Sequence, residues 1–381
     1  MKKEKDTSIE LIRIIACFLV IGAHIQLSVN VENAIAFRRI EETALLADNV
    51  PLFFLIAGYF LFSKTDDSST DILKVFGKKT IHMLRNVLIP ITISIVLIAN
   101  IAPYIHGECA LADCSFDIDA VKQYLFEFFC NQTAYDRAGH FWYICSYLKI
   151  FIWFPALALI CKKDESITKI RRLMLLFAYI VIIITDLESL FGKELGSYED
   201  MTLGQNALYV VLGYEIYYIF HHTKWKDEEL RFRGLILFAV GLILKLSLQT
   251  YLFNAYGMDA NRHFFGLECG PCYLTSVGAF LFWHSFRKEL HSKMIIFIGK
   301  YTLYIYIFHG MVIDRNRELQ GKIIAFCNDC SNGLEDIGYY LLFGGFVFIV
   351  SFVIGFIFER IYALLLWCFD HMVSKLRSRS A

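Results

Sequence analysis

The sequence predicts an all-α, polytopic integral membrane protein with about ten transmembrane helices and both termini in the cytoplasm. Three observations predict this fold class. The chain of 381 residues is 57% hydrophobic and only 19% charged, with a mean hydropathy of +0.50, whereas soluble domains carry about 25% charged residues. The apolar residues fall in runs of bilayer length. The basic residues are distributed unequally between alternate connecting segments.

Ten apolar stretches are long enough to be membrane spans. Their predicted limits are residues 8–29, 46–63, 86–105, 140–160, 170–186, 203–220, 233–253, 270–286, 294–313 and 337–368. The last is too long for one crossing and is predicted to continue as an interfacial helix near Trp367.

The orientation follows from the positive-inside rule. With a cytoplasmic N-terminus, 23 of the 37 Lys and Arg residues fall in inside segments, nine in outside segments, and five within spans. The chain is predicted to be a single membrane domain, 1–381, with short cytoplasmic tails at about 1–7 and 369–381. The formal net charge of zero gives no indication of a nucleic-acid partner.

The first span carries an arginine near its start and a histidine near its end, Arg13 and His24. Eleven helical steps return to within about 20° of the starting face, so both residues lie on one stripe, about 16 Å apart along the axis. Ionisable residues inside a membrane are functional candidates by default. The alternative is that Arg13 snorkels to the headgroups and His24 caps the outer end. Glu10 precedes Arg13 by three residues and is placed to pair with it.

Two further histidines are predicted to lie at the same outer level as His24. Span four runs inward from His140, and span nine runs outward to His309. A neutral imidazole accepts a proton near pH 7, so each is a candidate general base for a hydroxyl group. The alternative is three separate interfacial histidines, because amphipathic residues collect at that depth.

Four sequence motifs, in this order along the chain, carry a resemblance to a known family. They are Arg-x10-His in span one, Pro-Leu-Phe-Phe-Leu-Ile-Ala-Gly-Tyr-Phe from Pro51, His-Phe-Trp-Tyr-Ile-x-x-Tyr-Leu from His140, and Tyr-Thr-Leu-Tyr-Ile-Tyr-Ile-Phe-His from Tyr301. Together they resemble the membrane acyltransferase 3 family, in particular its surface-polysaccharide O-acetyltransferases. The related membrane-bound serine racemases carry an added cytoplasmic domain, so the chain is expected to be either the stand-alone type or a truncated one.

The resemblance implies a plasma-membrane O-acyltransferase with its active site near the extracytoplasmic side. It would move an acyl group, expected to be acetyl, from cytoplasmic acyl-CoA to a hydroxyl of an extracytoplasmic glycan or lipid-linked saccharide. It implies His24 as the catalytic histidine and Arg13 as its motif partner, with His140, His309 and Glu10 as further active-site candidates. The acceptor and the oligomeric state stay open. The alternative is a multispan transporter of an amino acid or glycan unit, because polar residues at depth suit that function too.

No metal is expected. The pairs Cys269/Cys272 and Cys327/Cys330 are separated by two predicted spans, and a two-cysteine spacing alone is a weak signal. Cys109 and Cys114 are placed to form a disulfide if their loop is in an oxidising compartment. The charged residues Glu215, Lys245 and Lys300 lie nominally within spans, and ion pairing inside the bundle is the preferred interpretation of each.

Overall fold

The structure is a computed structural model that describes residues 6–25, 49–64, 70–130, 141–191, 204–257, 263–329 and 338–380. Within these ranges the regular structure is helical and contains no strand, which confirms the all-α prediction. The α-helices are α1 Thr7–Ile25, α2 Asn49–Leu61, α3 Ile72–Met83, α4 Ile89–Ile105, α5 Ile118–Cys130, α6 Trp142–Ile152, α7 Phe154–Ile160, α8 Glu165–Leu190, α9 Gln205–His222, α10 Asp227–Tyr256, α11 Gly270–His284, α12 Lys293–Gly299, α13 Thr302–Arg315, α14 Arg317–Asp329 and α15 Gly345–Ser380.

The protein is a multi-pass membrane protein. Among the described residues, six helical segments are long and apolar enough to cross a bilayer, and the number rises to eight if each of two bent helix pairs is one crossing. Of the ten predicted spans, the second corresponds to a shorter apolar helix, Val50–Leu61, and the sixth corresponds to α9, which is not among the candidates. The number of ten and the cytoplasmic location of both termini therefore stay predictions.

Two predicted boundaries differ from the helices. Predicted spans two and three leave residues 64–85 as a connecting segment, but α3 lies within it and continues into α4 through a π-helical turn, Leu84–Leu88, as one long helix. Span four is two helices, α6 and α7, bent by 68° at Trp153. Pro155 lies in the first turn of α7, where a missing backbone N–H costs nothing. Proline chemistry therefore explains a break that the hydropathy pattern does not show.

The chain divides into two compact units, neither continuous in sequence. Unit 1 contains residues 1–81 and 142–299, and unit 2 contains residues 82–141 and 300–381. The prediction of a single domain is not tested by this division.

In unit 1, helices approach one another at glycines. A Cβ on Gly58 of α2 would overlap the carbonyl oxygen of Val210 in α9, and one on Gly213 would overlap that of Leu55. The later residue of α2 meets the earlier residue of α9, and the earlier residue of α2 meets the later one of α9. The two helices are therefore antiparallel. Small residues allow this close backbone contact, which replaces the hydrophobic effect as the driving force for helix association in lipid. Gly58 is therefore a position at which α2 admits the backbone of α9.

Hydrogen bonds fix which helix ends of unit 1 lie together. His284, the last residue of α11, contacts Ser8 in the first turn of α1 and Tyr59 near the end of α2. At the opposite end of α11, the N–H of Gly270 donates to the carboxylate of Asp186, near the end of α8. Unit 1 therefore has two ends that can be named by the ends of α11: the His284 end, where α1 begins and α2 ends, and the Gly270 end, where α8 ends.

In unit 2, α13 packs against α15, and a Cβ on Gly355 would lie 2.5 Å from the Cβ of Tyr304. Lys300 donates to the Glu359 carboxylate at 2.7 Å, which confirms the expectation that this cation is ion-paired. The buried aromatic rings of Phe343 and Tyr339 stack at the start of α15. The unit is held by both apolar packing and a cross-helix ion pair.

We predict that Gly58→Ala lowers the free energy of unfolding by about 1–3 kcal/mol, because the added methyl group overpacks the α2–α9 contact. The measurement is thermal unfolding of the purified protein in detergent. Gly77→Ala in α3 is the matched control, because nothing lies within 4 Å of the position of its added Cβ. In that exposed helix interior alanine is favoured over glycine by about 1 kcal/mol. Equal effects of the two substitutions would contradict the packing assignment.

Candidate active site

Arg13 forms an ion pair within α1. Its guanidinium Nη1 donates to both carboxylate oxygens of Glu10, at 3.0 and 3.2 Å. The side chain of Arg13 is 29% exposed and that of Glu10 only 6%. The spacing of three residues places both on one helix face, as the sequence predicted. The arginine is therefore anchored by a nearly buried carboxylate and is not extended toward headgroups as a lone charge.

Glu10 is itself held by the close approach of another helix. Gly299 ends α12, and a Cβ on this glycine would overlap the Glu10 carboxylate and lie 2.7 Å from its Cβ. Glycine here leaves the space that the Glu10 side chain occupies. The position of the carboxylate, and through it that of Arg13, depends on the absence of a side chain at residue 299.

Arg13 also contacts α2. Its guanidinium carbon lies 5.7 Å from the ring centre of Phe60 in that helix, within cation–π range. Phe54 of α2 in turn packs edge-on against the Tyr143 ring of α6, with 4.8 Å between the ring centres. The motif of span two therefore contacts those of spans one and four.

His24 lies on the same continuous helix as Arg13, in its last turn, and its side chain is exposed. Ser8 lies at the His284 end of unit 1. His24 follows it by sixteen residues on the same helix and therefore lies about 24 Å away along the axis, toward the opposite end. Arg13 lies between the two. The arrangement along α1 therefore runs from the buried polar cluster at His284, through the Arg13 ion pair, to His24. His140 lies outside the described residues.

His309 belongs to unit 2, where it is completely buried in α13. Its Nδ1 lies 2.6 Å from the carbonyl oxygen of Tyr306. A carbonyl only accepts, so Nδ1 carries the proton, and in the neutral ring Nε2 then carries the lone pair. The backbone therefore selects the tautomer in which Nε2 is the basic nitrogen, a frequent arrangement for histidines that take up protons.

A buried histidine, His284, lies at the end of unit 1 where α1 begins, and it was not predicted from the sequence. The Ser8 hydroxyl donates to Asp6 at 2.6 Å and lies 2.8 Å from Nδ1 of His284, while the Tyr59 hydroxyl lies 2.8 Å from Nε2. Because Ser8 gives its only proton to Asp6, it accepts from Nδ1–H, and a neutral Nε2 accepts from Tyr59. An ionisable residue within a predicted span was the available signal for His284.

A second polar cluster was also missed, at the Gly270 end of unit 1. Asp186 accepts from Nε2 of His263 at 2.7 Å with one carboxylate oxygen and from the N–H of Gly270 at 2.9 Å with the other. The carboxylate thus joins α8, the 3₁₀ turn at 263–265 and the N-terminus of α11, where a negative charge is favourable. Asp186 lies at the predicted end of span five, and the sequence gives no signal of its pairing with His263, 77 residues away.

Unit 1 contains further buried charged residues, among them Glu215 and Lys245. The Glu215 carboxylate accepts from Arg171 at 2.6 Å and from Arg172 at 2.6 Å, so the predicted ion pairing of Glu215 is confirmed. Lys245 is completely buried in α10. These residues account for much of the charge within the helices without adding to the Arg13 site.

The cysteines of the described segments are free thiols. Cys269 and Cys272 are buried at the N-terminal end of α11. Cys109 and Cys114 lie close, with 3.7 Å between their sulfur atoms. No group of three or more metal-binding side chains is found in the ranges that the structure describes.

Comparison with known proteins gave one match. The model of the acyltransferase 3 family, described as an acyltransferase domain, matches residues 6–363, nearly the whole chain. No curated protein and no solved structure matched. The match includes the Arg13 site and every helix from α1 to α14.

We predict that Glu10 and Arg13 are energetically coupled. In a double-mutant cycle with Glu10→Ala and Arg13→Ala, the expected coupling is about 1–3 kcal/mol, because removal of either partner leaves the other partly buried and without its hydrogen bonds. The measurement is the free energy of unfolding of the wild type, both single variants and the double variant in detergent.

The pair Asp119–Lys122 of α5 is the matched control for this cycle. It has the same three-residue spacing, but its side chains are 83% and 69% exposed. Exposed pairs contribute about 0.2–1 kcal/mol. Coupling at Glu10–Arg13 no larger than at Asp119–Lys122 would show that Arg13 is a surface residue.

Proposed function

Because this chain belongs to the membrane acyltransferase 3 family, we propose that it is an O-acyltransferase that moves acetyl from cytoplasmic acetyl-CoA to a hydroxyl of an extracytoplasmic glycan. That the protein is a membrane acyltransferase follows from the family match over residues 6–363. The proposal goes further than this match in four respects: the donor, the acceptor, the plasma-membrane location and the extracytoplasmic side of the site. The observation that carries it is the anchored Arg13 on the same helix as His24.

In the proposed reaction, His24 is the general base. Its neutral imidazole takes the proton of an acceptor hydroxyl as the oxygen attacks the thioester carbonyl. The carbon–sulfur bond breaks, an ester forms, and the CoA thiolate leaves and is protonated. The exposed side chain of His24 at the end of α1 suits contact with a bulky acceptor such as a glycan or a lipid-linked saccharide.

Arg13 is proposed to position the donor on the inner side of His24. Its guanidinium is permanently charged and lies about 16 Å from His24 along α1, so it suits binding of an anionic part of acyl-CoA while the thioester reaches toward the histidine. Glu10 and the ring of Phe60 fix its position. A cation that is already fixed binds an anion without a further cost of ordering its side chain.

His140 and His309 are proposed as further active-site residues. The carbonyl of Tyr306 leaves Nε2 of His309 as the basic nitrogen of the neutral ring. The His24 imidazolium formed in the reaction returns its proton to the CoA thiolate directly or through solvent, and a second histidine would hydrogen-bond the acceptor. The transporter interpretation receives no comparable support, because the family that matches is an acyltransferase family.

We predict that His24→Ala lowers acetyl transfer by about 10²–10⁴-fold, the usual contribution of a positioned general base. The measurement uses inverted membrane vesicles from the source cell without its own copy of the protein. Labelled acetyl-CoA is supplied to the exposed cytoplasmic face, and alkali-labile label in the vesicle glycans is counted, because an ester releases acetate in alkali.

Two variants accompany His24→Ala in that assay. His82→Ala removes an exposed histidine of α3 whose ring hydrogen-bonds to Asn86, four residues along the chain, and transfer by this control is expected to stay at the wild-type rate. His309→Ala tests the second histidine. Wild-type transfer by a His24→Ala protein present at normal abundance in the membrane would exclude the proposed mechanism.

A further inference from the structure

Unit 2 contains a groove of about 570 Å³ that takes no part in the proposed reaction. The volume lies within the roughly 300–1,000 Å³ typical of ligand sites. The groove is lined by α4, α13, α14 and the first turns of α15, with a short contribution from Leu111. Its walls are mainly apolar, and among the lining residues are Ile101, Met311, Val312, Phe346, Val350 and Ile354.

One cation stands at the edge of these apolar walls. Arg315, the last residue of α13, is exposed, and its guanidinium carbon lies 4.7 Å from the ring centre of Tyr104, at the end of α4. Both residues line the groove. The aromatic ring holds the guanidinium beside the opening without neutralising its charge.

The other charges near the groove are paired. Lys322 donates to the Glu318 carboxylate at 2.6 Å and lowers the pKa of that carboxyl, so the pair is ionised and has no net charge. Arg317 is paired with Asp314 at 2.7 Å. Arg315 has no ion pair with an acidic residue in the described part of the chain, so the groove opening has a net positive charge.

The position of the groove along the helices indicates a lipid. It lies at the end of two candidate membrane spans, Ile72–Ile105 and Tyr340–Met372. Its walls come from turns at the ends of apolar helices, and the cation and the tyrosine lie at the helix end. Aromatic and basic residues collect at the headgroup level, with apolar residues deeper in the bilayer. A water-soluble anion would gain nothing from the apolar walls.

We propose that this groove binds an anionic phospholipid of the surrounding bilayer, with a hydrocarbon chain along the wall of Val350 and Ile354 and the phosphate at Arg315. The first turn of α14, which lines the same opening, adds the partial positive charge of a helix N-terminus. A guanidinium matches the geometry of phosphate oxygens and donates to two of them at once. The residues that line this lipid site include neither Arg13 nor His24 nor His309.

The test measures retention of phosphatidylglycerol and of zwitterionic phosphatidylcholine by the purified full-length protein, counted by native mass spectrometry after release from lipid nanodiscs. The wild type is expected to retain phosphatidylglycerol preferentially. Arg315→Gln is expected to lower that retention about five-fold, since one basic residue near the headgroups contributes about 1 kcal/mol. Retention of phosphatidylcholine should not change.

Two controls separate the charge from the groove. Arg317→Gln removes a neighbouring cation that is paired and does not line the groove, and retention should stay at the wild-type level. Val350→Trp fills the apolar wall with every charge intact and should lower retention of phosphatidylglycerol. Unchanged retention in Arg315→Gln, equal loss in Arg317→Gln, or displacement of the lipid by soluble glycerol 3-phosphate would each overturn the proposal.

Discussion

The arrangement of unit 1 depends on how a permanent positive charge is kept inside an apolar helix. Arg13 lies in α1, where an uncompensated guanidinium would cost several kcal/mol. Its charge is met by Glu10, and the space for Glu10 exists because α12 ends in glycine at residue 299. The arginine also rests against the ring of Phe60 from α2. Three helices that are distant from one another in the sequence, α1, α2 and α12, are therefore constrained by one charge.

The sequence predicted the helical class and the approximate positions of the apolar helices among the described residues, because runs of bilayer length are typical of helices that cross lipid. It also predicted the pairing of Glu10 with Arg13, since helical periodicity fixes neighbours three residues apart. It did not predict that α3 continues into α4 or that span four bends at Trp153. Those features depend on backbone hydrogen bonding, and average hydropathy contains no information about it.

Most contacts between helices could not be predicted from the sequence. His284 was overlooked because its partners, Ser8 and Tyr59, are separated from it by more than 200 residues. The pairing of Asp186 with Gly270 was not predicted either, although Asp186 is buried. To predict such pairings one must know which residues of two neighbouring helices lie side by side. The hydropathy and charge of single residues do not give that information. The hypothesis of acyl transfer came from the resemblance of four sequence motifs to a known family, and hydropathy and charge alone did not lead to it.

The glycine contacts between α2 and α9 have a consequence for motion. Where Gly58 meets Val210 and Gly213 meets Leu55, backbone lies directly on backbone, and no side chain is present to change rotamer and absorb a displacement. Sliding or opening at that contact would break many atomic contacts at once. The two helices are therefore expected to move as one rigid body. Any rearrangement that admits a substrate to unit 1 must take place at other helix interfaces.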